Sequence, residues 1–250
     1  LTHTIRRDFT FMHPEVLDQK CTVDAASHTL NLNNKVNHEQ YKVLILPGKR
    51  EAAGAIHLST LQKAKEFYDH GGTVISTGRL PVKSAELGKD AQVAKLVQDM
   101  FGLDPNKTGH PYTKVTNAAG GKAYFVPNID EGIEGTNRLA EVLNEAVAVW
   151  DVRFEDDIAI KSAKGKLAYI HKVKDNADYY FFANSSDDSI NTWVRLKGML
   201  KPELWDPHTG AIGAASFQNL KQDGQDVTRV QLKLGANKSV FVRNSSAMGK

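Results

Sequence analysis

The 250-residue chain has one cysteine, Cys21, so it holds no internal disulfide and no cysteine-based zinc site. No apolar run approaches the roughly 20 residues of a membrane span, and the start of the chain lacks the basic-then-apolar order of a signal peptide. The first residue is leucine, so a missing leader says nothing about a parent protein. Excess charge is also scarce. The net charge is +3, and the lysines and arginines are spread along the chain rather than massed. With no basic stripe to neutralise phosphates, nucleic acid is not an expected partner, and with no membrane span neither is a bilayer. The nine histidines form no HxxxH or HxH pattern on an expected element, so no metal site is assigned. Gly48, Gly71-Gly72 and Gly120-Gly121 read as isolated turns and caps rather than a phosphate cradle, and no cofactor is expected.

What is present begins with Tyr41 to Pro47, a nearly unbroken apolar run of the kind that fills the middle of a sheet. After a loop, Ser59 and Gln62 form a capping-box pattern ahead of Leu61, Ala64 and Phe67 at helical spacing, and Gly71-Gly72 ends the helix. The run Thr73 to Thr77 follows at once. Strand, crossover helix and strand make a right-handed parallel unit. Further on, Asp90 is positioned to cap a helix that carries Ala94, Val97 and Phe101 on one face, and a turn-rich stretch from Asp104 leads to a strand over Lys122 to Pro127. Thr136 then starts a helix lined by Leu139, Val142, Leu143 and Ala146. Ahead of all this, Pro14 suits the first turn of a short helix, and Cys21 to Asp24 with Thr29 to Asn33 read as a hairpin.

Beyond Trp150 the apolar period changes from about 3.6 to 2. Short alternating runs over Ile158–Lys161, Leu167–Val173, Tyr179–Ala183, Ile190–Leu196, Pro202–Trp205, Val227–Leu234 and Ser239–Val242 predict an antiparallel β-sandwich. The expected domains are therefore 1–150, α/β, and 151–250, all-β. The α/β part has no leading strand and helix before Tyr41, as though it began partway into its domain.

Chemistry finds little to hold. A hydrolase or amidotransferase elbow needs a Cys or Ser on a glycine-flanked strand-to-helix turn. Cys21 has no neighbouring glycine, and Ser76 lies inside a strand. Glycosidase chemistry needs two carboxyl groups astride the scissile bond. The acidic groups Glu155-Asp156-Asp157, Asp187-Asp188 and Glu131 with Glu134 sit in turns or at strand ends, where solvated turns explain them, and no catalytic residue is assigned. Trp193 shares the polar face of its strand with Asn191 and Arg195, and Trp205 leads into the turn Asp206 to Gly210. Either indole offers a flat face to a sugar ring, and Trp193 equally offers packing surface to a neighbouring domain.

The stretch Tyr41 to Pro47, with Leu61 to Ile75, resembles the glutamine-amidotransferase-like α/β domain that follows the catalytic barrel in several glycoside hydrolases. The ordered set Lys166 to Lys172, Asp178 to Ser186 and Pro202 to Gly210 is similar to the C-terminal β-domain of glycoside hydrolase family 106, the α-L-rhamnosidase-like enzymes. The resemblance implies a flavodoxin-like, class I glutamine-amidotransferase-like domain followed by an antiparallel β-sandwich. It implies a non-catalytic C-terminal part that supports a barrel absent from this chain, since nothing here matches the acidic residues and calcium site carried on that barrel. Expected partners are the upstream barrel or a second copy, with carbohydrate at Trp193 and Trp205. The analogy implies export to the periplasm or beyond. The alternatives are a free-standing carbohydrate-binding protein, or a ThuA-like or amidotransferase-like enzyme with a pocket near Pro47 to Arg50 and Gly78 to Leu80.

Overall fold

The computed structural model describes residues 5–33, 38–48, 55–129, 133–147, 150–155, 167–175, 177–222 and 224–244. Two compact units divide the chain: Phe11–Val147, and Ala148–Lys250 together with Leu1–Thr10. The sequence assigned the first ten residues to the α/β part. Residues 5–10 group instead with the sandwich: Asp8 donates its N–H to the Tyr169 hydroxyl at 3.2 Å, and the Arg6 and Arg7 guanidinium groups lie over the Phe154 and Trp150 rings. Arg6 is buried, its guanidinium nitrogens find no hydrogen-bond acceptor among the described residues, and burial pulls its pKa down to about 10.

In the Phe11–Val147 unit the elements run α1 (Pro14–Lys20), β1 (Cys21–Asp24), β2 (Thr29–Asn33), β3 (His38–Tyr41), β4 (Val43–Pro47), β5 (Ala55–Ile56), α2 (Leu58–Asp69), β6 (Thr73–Thr77), β7 (Lys83–Ser84), α3 (Asp90–Phe101), β8 (Thr113–Thr116), β9 (Lys122–Val126) and α4 (Ile133–Ala146). β1, β2 and β3 form an antiparallel sheet, so the expected hairpin gains a third strand. The main sheet has the order β4-β6-β9-β8, parallel through β4, β6 and β9, with β8 antiparallel at one edge. β6 is buried along its whole length, as its apolar run requires. β4 was expected in the middle of the sheet. It lies at the edge among the described strands, bonded to β6, and Leu46 is its one buried residue while the rest stay partly open to solvent.

Helix starts also depart from expectation. Ser59 is not the cap of α2: its hydroxyl donates to Asp18, while Glu86 accepts the N–H of Leu58 at 3.1 Å and lies 3.1 Å from His57 Nδ1. The Ser84 hydroxyl and the Leu58 N–H hold the Glu86 carboxyl down to about 2. Asp90 is the first residue of α3 rather than its cap, and it accepts from the Ser84 N–H. Thr136 lies within α4, which begins at Ile133. The C-terminus of α3 follows the sequence signal: Gly102 takes a left-handed φ of 67° and bonds back to the Gln98 carbonyl. The core gathers Leu61, Ala64 and Phe67 of α2 with Val74, Val97, Phe101 and Phe125.

The second unit contains β10 (Val152–Phe154), β11 (Leu167–Lys174), β12 (Ala177–Asn184), β13 (Ile190–Lys197), β14 (Pro202–Trp205), β15 (Ile212–Ala214), β16 (Phe217–Gln222), β17 (Gln225–Leu234) and β18 (Ser239–Asn244). They form two antiparallel sheets, β10-β13-β17-β16 and β11-β12-β18-β14-β15. Ile190, Val194, Leu196, Val230 and Leu232 from the first sheet meet Leu167, Tyr180, Phe182 and Val242 from the second, which is the core of a sandwich. β13 alternates buried and less buried positions as the period of two predicts. The strand expected over Ile158–Lys161 lies outside the described residues.

Candidate functional site

Hydrolysis of a glycosidic bond would draw on acidic side chains. Glu155 follows β10 and is clamped by two arginines from neighbouring strands. It accepts from Arg195 Nε at 2.7 Å, from Arg229 Nη2 at 2.7 Å, and from Arg229 Nε at 2.8 and 2.9 Å. Hydrogen bonds from Arg229, then Arg195, outweigh burial and hold its carboxyl below the usual range. Arg195 also donates to Gln222 and Arg229 to Gln218, so the network spans β13, β16 and β17. A carboxylate held this way is a poor acid and is not free to act as a nucleophile. Asp187 accepts from the Asn237 amide, and the Asp188 carbonyl accepts from Asn184 and Ser186, the bonding of a closed turn. Glu134 sits exposed in the first turn of α4. Glu131, Asp156 and Asp157 lie outside the described residues. Among the described residues no three His, Cys, Asp or Glu side chains are grouped as metal ligands would be.

The two tryptophans have different surroundings. Trp193 projects from the outer face of its sheet, and the Arg229 guanidinium lies 4.0 Å from its ring centroid. One indole face is therefore already taken by a cation that is itself tied to Glu155. Trp205 lies on the outer face of the five-stranded sheet, with its Nε1 donating to Glu203 at 3.3 Å, the Tyr179 ring edge-on at 6.2 Å and the Arg243 guanidinium 5.1 Å away. Register then assembles a feature that no local stretch announces. Ile170 pairs with Phe181, Phe181 with Phe241, Phe241 with Trp205, and Trp205 with Ile212, an apolar row across all five strands. Its ends are open: Ile170 is 50% exposed and Ile212 63%. The sequence predicts Tyr179–Ala183 as a strand but carries no means of aligning strands far apart in the chain.

Both side chains weighed as nucleophiles are buried. Cys21 is buried beside Met12, its Sγ 3.3 Å from the thioether sulfur, and burial pushes its thiol up. Ser76 is wholly buried in β6. At the C-terminal ends of the parallel strands, Gly48 N–H donates to the Thr77 carbonyl at 2.9 Å and Gly78 N–H to the Val126 carbonyl at 2.9 Å. A Cβ on Gly48 would lie 2.1 Å from the Arg79 carbonyl oxygen, so backbone fills the described part of that crevice. Arg50 lies outside the described residues.

An α/β unit followed by an antiparallel sandwich is the arrangement seen at low identity in a glycoside hydrolase. The structure of a rhamnosidase from Novosphingobium sp. PP1Y superposes over 96% of this chain and 20% of its own length, with a TM-score of 0.65 and 18% identity. The chain belongs to the glycoside hydrolase 106 family, described as alpha-L-rhamnosidase, whose family model matches residues 4–219. A protein of Formosa agariphila described as "Putative beta-glucuronidase" is 29% identical over 208 residues, covering 81% of this chain and 14% of that protein. This chain therefore spans a fifth or less of the length of these two relatives.

Proposed function

We propose that this chain is a non-catalytic supporting region of a rhamnosidase-type glycoside hydrolase, serving a catalytic part that lies elsewhere in a longer polypeptide. The observation that carries this reading is Glu155. It is the one member of its acidic cluster among the described residues, and two arginines occupy the oxygens that a catalytic carboxyl would present to a sugar. The small share of each relative that the chain spans supports the same reading. The parallel strands β4, β6 and β9 favour an amidotransferase-like ancestry for the α/β unit, with backbone at Gly48 filling the described part of the crevice at their C-terminal ends. Either an upstream barrel or a second copy fits as partner, and export from the cytoplasm follows from the family analogy alone.

The test is hydrolysis of a panel of aryl glycosides, α-L-rhamnoside among them, by this chain beside the full-length product of its reading frame. The longer product is expected to turn over a substrate and the chain alone none. Turnover by the chain alone overturns the proposal.

One observation favours a second reading, carbohydrate contact on the five-stranded sheet. Trp205 sits in an apolar row whose ends are exposed, with Glu203 and Arg243 beside it to bond hydroxyl groups. If sugar binds there, Trp205→Ala weakens binding of a rhamnose-containing oligosaccharide about tenfold by calorimetry, the scale of one lost aromatic contact. Trp193→Ala, whose indole face is already covered by Arg229, leaves that affinity unchanged. No heat of binding from the unmodified chain removes this reading.

A further inference from the structure

His171 belongs to β11, the edge strand of the five-stranded sheet among the described strands, yet its ring turns inward and stacks on Tyr180, with centroids 4.0 Å apart and planes 13° from parallel. Nδ1 lies 2.7 Å from Asp151 Oδ2, and Nε2 lies 3.0 Å from Asp178 Oδ1. The two carboxylates come from different sheets. Asp178 is on β12, next to β11, whereas Asp151 precedes β10 and is fixed to the other sheet by its carbonyl, which accepts from the Lys197 N–H at 3.0 Å. A neutral imidazole has one N–H and one lone pair. It can donate to only one carboxylate, and its lone pair would face the oxygen of the other. Only the imidazolium, with two N–H donors, satisfies both contacts.

We infer that His171 is a protonated staple between the two sheets of the sandwich, and that loss of its proton in alkaline solution frees the β11 edge, making this edge a pH-responsive element. Burial acts against the charge, but hydrogen bonds and attraction from Asp151 and Asp178 outweigh it and hold the ring above its ordinary value. Among the described residues these two aspartates are the charged groups acting on the ring. Tyr180 beneath it stays neutral because burial and the same aspartates push its hydroxyl up, and burial pushes Tyr169 up to about 12. The sign follows from a raised value. The staple contributes fully below about pH 6.5, the value in an unfolded chain, and is lost as pH rises through the folded value. Asp151 has a side chain 41% exposed, so the proton has a way out.

Nitrogen-detected NMR of the imidazole rings of the intact chain tests this directly. His171 is expected to carry both ring protons at neutral pH and to titrate above the unfolded-chain value, and Asp178→Asn and Asp151→Asn should each bring it down. Titration at or below that value overturns the inference. Hydrogen exchange gives a second reading that a purely structural ring would not move. Protection of the β11 amides should fall about tenfold as pH crosses the His171 midpoint, the scale of one lost charge-assisted bond, and should show no such step in His171→Gln. Protection unchanged across that midpoint in the unmodified chain would also overturn it.

Discussion

Glu155→Gln is expected to destabilise the sandwich by about 2–3 kcal/mol, seen as an earlier loss of tryptophan fluorescence in urea. The figure follows from what the carboxylate does. It satisfies Arg195 and Arg229 together, and its side chain is 17% exposed against 32% and 27% for the two arginines. Breaking a fully buried pair costs about 3–5 kcal/mol because the surviving charge is left unpaired. Here water reaches the arginines in part, and the amide keeps one acceptor oxygen, so the lower figure applies. The probe is specific: Trp150, Trp193 and Trp205, the three tryptophans of the chain, all lie in the Ala148–Lys250 part of the sandwich unit. Acid should mimic the substitution. A carboxyl held below its unfolded value stabilises fully above about pH 4.5, and the contribution disappears as pH falls through the folded value. A variant as stable as the parent would mean that Glu155 is dispensable, and would reopen a chemical role for it.

The second large effect is in the other unit. Phe67→Ala should cost about 3–5 kcal/mol, since Phe67 is fully buried at the junction of α2 with β6. The helical circular dichroism band reports it, because all four described helices lie in Phe11–Val147. Gly72 sharpens the test. A Cβ there would fall 2.2 Å from Phe67 Cε2, so Gly72→Ala alone overpacks the site and costs about 1–3 kcal/mol. In the Phe67→Ala background the same methyl enters the vacated space, and the double variant should be more stable than the sum of the single costs by at least about 1 kcal/mol. Simple additivity would mean that the ring and the glycine do not share one packed space.

The sequence by itself determined the elements whose signal is local. β6 was legible as a short run directly after a helix-ending glycine pair, α2 and α3 as helices with an apolar stripe, and β13 by its alternation of Ile190, Thr192, Val194 and Leu196 against Trp193 and Arg195. The resemblance in three β-stretches pointed to the family that the match over residues 4–219 establishes. Strands without an apolar pattern stayed hidden. β16 is exposed or only half-buried throughout, so it belongs to the sheet through backbone bonds to β17 that leave no mark on composition. Only the tertiary structure decided what depends on partners far away in the chain. Glu86, not Ser59, serves the start of α2 because a folded loop brings it 28 residues back to Leu58. Glu155 is held between Arg195 and Arg229, which reach it from two neighbouring strands. The row from Ile170 to Ile212 and the placing of His171 between Asp151 and Asp178 come from register and from two sheets closing on each other. Side-chain periodicity assigns a residue to a face, but which residues it meets on that face is set by pairing between strands, and no single stretch of sequence carries that information.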